Sequence, residues 1–374
     1  MDRNGVDLDS GFVPCRLLTE GFSRGGYRPA ADDRCLRQVK PGMGTDRCMK
    51  ARLRVALLLM AIGLVLIPGD LRAINVPLYD IPAELQLCGE PVPLNRQDVW
   101  EMLDQSFVLA VYNTDQVILW LKRSSRYFPY LEKRLAERRM PDDVKYVVVV
   151  ESSFRTYAVS SAKAVGPWQF MEKTAKRYGL KVNKQIDERL NFEKATEAAL
   201  DYLTDLYRMF GNWTLAMASY NCGEERMSNN IGIQGVQSFY DIDLPLETER
   251  YIFRILSAKL ILTQPEKYGY HIPRERRYAP LDVDRVEFTL PKEVHVTVIA
   301  RAAGTTYKTI REMNPEIKNE TLPRGSYVLS IPKGRAEQFG NTFRDLVSRE
   351  GAEGKSDHKK KPRALSEGRA AAVR

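Results

Sequence analysis

The 374-residue sequence predicts a mainly α-helical protein with a small βααβ module towards its C-terminus. From about residue 97 to 275, apolar residues recur at helical spacing and no long strand pattern interrupts them. Beyond Pro273 the composition changes. Residues 286–290 and 327–331 read as short β-runs, and residues 296–303 and 307–313 between them read as short helices, with Asn314-Pro315 as a turn.

Taken in order, the stretch 74–96 carries Pro77, Pro82, Pro91 and Pro93 and reads as an extended arm lying on the domain. Val99, Met102 and Leu103 open a helical pattern, residues 116–121 continue one, and Phe128, Leu131 and Leu135 recur at helical spacing up to Pro141. Asp142 and Asp143 then supply acids to the first turn of the next segment. Residues 146–150 have the β-branched composition of a strand. Their helical surroundings favour a fully buried helix instead. Residues 183–192 read as a polar loop. The clearest amphipathic helix spans 194–210, where Ala195, Ala198, Ala199, Tyr202, Leu203, Leu206 and Phe210 share one face. Gly211 stops it, Asn212 caps a helix over 213–222, and Gly223 suits a left-handed cap. A further helix over 248–262 ends before Pro265. After Gly334 the chain turns polar and basic, and 335–374 reads as a largely disordered tail.

The net charge of +9 raises the question of nucleic acid. Much of the excess lies in an Arg-rich leader and in Lys359-Lys360-Lys361-Pro362-Arg363, and no basic stripe is evident between them, so nucleic acid is not expected as a partner. A basic surface also suits an anionic polymer such as a bacterial cell wall. Residues 49–73 have the parts of a secretory signal peptide: a basic start, an apolar run over 55–67, the break Pro68-Gly69, and Leu71-Arg72-Ala73 at a cleavage point. The run is short for a membrane span. Residues 1–48 therefore read as a mis-assigned leader. The alternative is an uncleaved segment that associates the chain with a membrane. In both cases the remainder is exported, to the periplasm or cell envelope. Cys88 and Cys222, the two cysteines beyond the leader, could pair in an oxidising compartment. With His271, His295 and His358 they show no ligand spacing, so no metal is expected. No oligomeric state is implied.

The chemistry centres on Glu151. Val147-Val148-Val149-Val150 runs directly into this carboxylate, and apolar surroundings disfavour its charged form and raise its pKa towards the range of a general acid. Taken alone, the same pattern also describes the first solvated residue after a buried segment. Three further features accompany it: Gly166-Pro167-Trp168-Gln169-Phe170, Ala218-Ser219-Tyr220-Asn221-Cys222-Gly223, and Tyr251. Together, in this order, they resemble the lytic murein transglycosylases of the lysozyme-like superfamily, most closely the membrane-bound type D branch, over about residues 129–270. Asp187-Glu188-Arg189 and residues 193–199 share the likeness.

The resemblance implies a lysozyme-like helical catalytic domain over 97–275 that acts on peptidoglycan glycan strands without metal or organic cofactor. It implies that Glu151 is the single catalytic acid/base and that Ser152 orients that carboxylate or the substrate. Gln169, Tyr220, Asn221 and Tyr251 correspond to residues of the sugar cleft, whereas Trp168 reads as packing. The expected reaction cleaves the N-acetylmuramic acid to N-acetylglucosamine bond without water and closes a 1,6-anhydro ring. A hydrolytic lysozyme and a non-catalytic wall-binding protein are the alternatives. Glu172, Glu224 and Glu225 are candidates for a second acid by availability alone, and each reads as a solvated face. Two positions depart from the family pattern: Lys163 stands where glycine is common, and Pro167 where leucine is frequent. Residues 285–334 resemble a degenerate LysM domain through Val298-Ile299-Ala300, Gly304-Thr305-Thr306 and Asn314-Pro315. Pro291-Lys292-Glu293 replaces the usual Gly-Asp after the first strand.

Overall fold

The computed structural model describes residues 77–353. The expected leader, the signal segment and the last part of the tail lie outside the described residues. Eight helices build the first, larger part: α1 (Gln97–Val111), α2 (Thr114–Glu137), α3 (Tyr146–Ser152), α4 (Glu172–Arg177), α5 (Phe192–Phe210), α6 (Trp213–Cys222), α7 (Glu224–Gln234) and α8 (Leu246–Thr263). The valine run is helical as expected. Val147, Val148 and Val149 are wholly buried in α3, where burial on every side overrides their strand propensity. α8 is the central rod. Ten of its residues are buried, and it packs against α1, α3 and α6.

Local chemistry sets the joints. Asn191 caps α5 by accepting from the Lys194 N–H at 3.1 Å, and Gly211, with φ of 66°, closes it. Asn212 then caps α6 through the Leu215 N–H at 2.8 Å. Helix α2 runs straight through Pro129, which removes the donor that would reach Ser125 O. Helix α7 has no long apolar stripe, burying only Met227, and the sequence pattern did not predict it. Residues 77–95 include a short hairpin, β1 (Gln86–Leu87) with β2 (Glu90–Pro91). Its Glu90 carboxylate accepts from the N–H groups of Trp213 and Thr214 at 2.5 and 3.0 Å, which anchors the arm at the N-terminus of α6. Tyr220 and Asn221 lie at the opposite end of that helix, roughly 10–12 Å along its axis. Cys88 and Cys222 are both free thiols, so the pairing considered from sequence does not form.

The small module follows. β3 (Val283–Leu290) and β6 (Gly325–Pro332) form an antiparallel ladder, from Val283 opposite Pro332 to Leu290 opposite Gly325. β4 (Val294–His295) pairs with β5 (Thr321–Leu322). Between the strands lie α9 (Val296–Ala302) and α10 (Tyr307–Met313), so the expected βααβ core of β3, two helices and β6 is present with the short pair β4 and β5 added. One expectation fails. Ala336–Glu353 is a helix, α11, rather than the start of a disordered tail. Phe339, Phe343 and Val347 recur at i, i+4 and i+8 and are buried against the module, so an apolar stripe outweighs the polar composition around it.

The module docks on the helical domain at 185–194. Ile186 and Ile317 form an antiparallel bridge, in which the Asp187 N–H donates to Glu316 O and the Lys318 N–H donates to Gln185 O, both at 2.8 Å. Glu316 is buried. Its Oε1 accepts from Asn191 Nδ2 at 2.8 Å and Lys194 Nζ at 3.4 Å, and Oε2 has no partner among the described residues. Burial raises its pKa and so favours the protonated form. The segment read as a polar loop is thus a buried polar seam, in which Arg189 and Asp187 also make a bidentate pair at 2.8–2.9 Å.

Candidate active site

Glu151 is the penultimate residue of α3, and the chain leaves that helix under strain. Ser153 and Phe154 are consecutive non-glycine residues in the left-handed region, with φ of 54° and 61°. Three donors hold the turn. Trp120 Nε1 donates to Ser153 Oγ at 2.8 Å, Arg123 to Ser153 O at 3.0 Å, and Arg155 to Ser152 O at 3.0 Å. Strain fixed by several neighbours is characteristic of functional sites. Here it sets the exit of the helix one residue beyond Glu151.

Ser152 differs from expectation. It is 2 % exposed; its Oγ donates to Pro167 O at 2.6 Å and accepts the Arg155 N–H at 3.1 Å. A hydroxyl bonded in this way is not presented to a ligand; it ties α3 to the turn at 166–170. That turn is closed by paired backbone hydrogen bonds between Val165 and Phe170 at 3.0 and 3.1 Å. Gly166, with φ of 86°, is required twice over, because a Cβ there would lie 1.9 Å from Arg189 O. Arg189 also donates to Phe170 O at 3.1 Å, so the seam residues brace the same turn. Gln169 adopts φ of 50°, and its Nε2 donates to Gly166 O at 2.8 Å and to Ala158 O at 3.3 Å. Trp168 is packing, as expected: it is fully buried, and its Nε1 donates to Thr196 Oγ1 at 2.9 Å. Lys163, where glycine is common in the resembled family, has φ of 67° and thus keeps the left-handed backbone that glycine favours.

Tyr220 and Asn221 come from the last turn of α6. The Tyr220 hydroxyl donates to Trp168 O at 2.8 Å, and Asn221 Oδ1 accepts from Thr248 Oγ1 at 3.2 Å. Thr248 lies one turn before Tyr251 on α8. The Tyr251 hydroxyl donates to Glu151 Oε1 at 2.5 Å across 100 residues of sequence. Thr248, Glu247 and Arg254 escaped the sequence reading. The available signal was helical spacing, since 247, 251 and 254 share a face of α8.

The electrostatics favour a titrating acid. Burial pushes the Glu151 carboxyl from 4.5 up to about 7, and the charge of Glu247 adds to the rise. The Tyr251 hydrogen bond and Arg254 oppose it without cancelling it. The phenols of Tyr251 and Tyr220 are driven well above their ordinary range, by burial first and by Glu151 second. Tyr251 is therefore a neutral donor at any working pH. The candidate second acids lie elsewhere. Burial pushes Glu224 up, but Arg177 and Tyr202, bonding it at 2.6 and 2.7 Å, outweigh this and hold it down at about 2. Glu172 pairs with Lys176 at 2.6 Å on the surface, and Glu225 is exposed. Among the described residues, the other carboxylate whose charge reaches Glu151 is Glu247.

The family described as Transglycosylase SLT domain matches residues 129–242, and the family described as Lytic transglycosylase MltD, LysM-like domain matches residues 284–346. Membrane-bound lytic murein transglycosylase D from two Escherichia coli strains is 31% identical over 223 residues, covering 58% of this chain and 48% of the relative. The chain thus spans about half the length of the curated relatives it matches. The solved 70 kDa soluble lytic transglycosylase of Escherichia coli aligns with 45% of this chain and 30% of its own, at 21% identity and a TM-score of 0.32. Glu151 thus lies within the stretch that matches the SLT-type transglycosylase domain, and the small module lies within the stretch that matches the MltD-type LysM-like domain.

Proposed function

We propose that this chain is a peptidoglycan lytic transglycosylase with Glu151 as its single acid and base. The observation that carries the reading is a carboxyl held near pH 7 by burial, with the Tyr251 phenol as its hydrogen-bond donor and no carboxylate bonded to it among the described residues. A group with that pKa can serve as both proton donor and proton acceptor at neutral pH. Protonated Glu151 donates to the glycosidic oxygen between N-acetylmuramic acid and N-acetylglucosamine, and that bond breaks. The substrate's own acetamide stabilises the cationic carbon. Ionised Glu151, steadied by the Tyr251 hydroxyl, then accepts the proton of the sugar C6 hydroxyl as its oxygen closes the 1,6-anhydro ring. The proton returns to the carboxyl, and no water is consumed. Gln169, Tyr220 and Asn221 line the glycan side, where amides and a phenol suit hydroxyl and acetamide groups. The expected export of the mature chain puts it in the compartment of this substrate, and the module at 284–346 is assigned a supporting hold on the glycan.

Product mass tests the proposal. Released muropeptides should be lighter by one water than hydrolysis products, and Glu151→Gln should release none. Equal release by wild type and Glu151→Gln would overturn the assignment. The hydrolytic reading has one observation in its favour, the electrostatic reach of Glu247. It requires hydrated products whose release stops in Glu247→Gln.

A further inference from the structure

A groove lies beside the strained turn, lined in part by Phe154 and Arg155. It has a volume of ≈ 380 Å³ and is bounded by Arg123, Arg126, Arg155, Tyr127, Tyr157 and Tyr278. The charges of Glu312 and Glu316 reach Tyr157 at its rim, but its arginines are not ion-paired among the described residues. Several arginines elsewhere on the domain meet carboxylates: Arg134 and Arg138 take Glu197, Arg177 takes Glu224, and Arg189 takes Asp187. The three groove arginines meet none among the described residues. Each is oriented instead by one backbone carbonyl: Arg123 by Ser153 O at 3.0 Å, Arg126 by Ala279 O at 2.9 Å, and Arg155 by Ser152 O at 3.0 Å. A guanidinium has five donors, so most of their N–H groups are left for a ligand. Arg123 and Arg126 are three residues apart on α2, a like-charge spacing that is mildly unfavourable without an anion between them.

The walls are aromatic and ordered. Tyr127 stacks on Phe154 at 5.5 Å between centroids, and Lys122 and Arg126 both lie 5.3 Å from the Tyr278 ring. Tyr157 is 65% exposed, leaving an open apolar face. Arginines pre-set by carbonyls beside aromatic faces suit carboxylates carried on a partly apolar chain, since the guanidinium fork matches a carboxylate in two-point geometry. The groove also shares its backbone with the candidate active site: Ser152 O and Ser153 O, which two of the arginines hold, directly follow Glu151.

We infer that this groove binds the carboxylate-bearing peptide stem attached to the glycan being cleaved. The inference rests on the glycan reading above. The arginines grip stem carboxylates while Tyr157 and Tyr278 cover its apolar side chains, so strands bearing stems are held better than bare ones.

The experiment compares kcat/KM on stem-bearing strands with that on strands stripped of stems by an amidase, for wild type, Arg126→Glu and Arg126→Lys. Arg126 is chosen because, unlike Arg123 and Arg155, it does not hold the catalytic turn. Wild type should prefer stem-bearing strands. Arg126→Glu should lower that preference about tenfold, the loss of one charge-assisted contact, and Arg126→Lys should restore part of it. In parallel, free stem peptide is titrated into Glu151→Gln protein with and without Arg126→Glu. Arg126-dependent binding supports the groove even if neither strand is cleaved, which would count against the glycan reading alone. An unchanged preference together with unchanged peptide binding would overturn the inference. So would Arg126-dependent binding of inorganic phosphate or anionic lipid vesicles with no binding of the peptide.

Discussion

Replacing Tyr251 with phenylalanine removes one hydroxyl from the buried end of the site. That hydroxyl donates to Glu151 Oε1 at 2.5 Å, and it stabilises the ionised carboxylate against a burial that favours the proton. A hydrogen bond to a charged group contributes about 1.5–3 kcal/mol. At about 1.4 kcal/mol per pKa unit, its loss should raise the Glu151 pKa by about one to two units above the value near 7. The sign follows from the chemistry. The acid form that protonates the leaving oxygen persists to higher pH, while the less acidic carboxyl gives up its proton to that oxygen less readily. In a pH profile of kcat/KM on purified glycan strands, the alkaline limb of Tyr251→Phe should therefore move upward by about one unit or more. The rate at neutral pH should fall meanwhile. A reduced rate with the alkaline limb at its wild-type position would refute the reasoning, because it would mean that Tyr251 acts by packing and not through the carboxyl.

Glu151→Gln should change stability in a pH-dependent way. The folded pKa of about 7 lies above the free value of 4.5, so the stability this group contributes is fully present below 4.5 and lost as pH rises through 7. Thermal melts should show the variant gaining on wild type by on the order of 2–3 kcal/mol between those limits. Gly166→Ala should destabilise by more than about 3 kcal/mol, because its Cβ meets Arg189 O and its backbone is left-handed; urea unfolding measures this, and near-neutrality would contradict the packing of that turn. Lys194→Met should cost about 2 kcal/mol in the same assay by stranding Glu316, and adding Glu316→Gln should recover part of the loss. Simple additivity of the two changes would argue against the coupled seam. A reducing agent should leave the melting temperature unchanged, since Cys88 and Cys222 are not bridged.

Much of this was legible in the sequence because local rules were obeyed there. The α5–α6 joint reads directly from Asn191, Gly211 and Asn212, whose caps are local. The valine run was readable as a helix only through its neighbours, since its own composition points to a strand. Helix α11 was missed because charge dominated the composition and hid a three-residue apolar stripe. The resemblance gave Ser152 the task of orienting the carboxylate or the substrate. A helix turns by about 100° per residue, so its adjacency to Glu151 in sequence directs it into the interior instead. The contacts that give Glu151 its character are non-local. Tyr251 lies 100 residues away, and the bracing of the 166–170 turn by Arg189 depends on a seam shared with the C-terminal module. No window of sequence carries that information.

The most direct test of the central claim is a carbon-13 NMR titration of the Glu151 side-chain carboxyl in the substrate-free protein. The account predicts a midpoint near 7, shifted upward in Tyr251→Phe. A midpoint near the ordinary glutamate value, in folded protein, would contradict it.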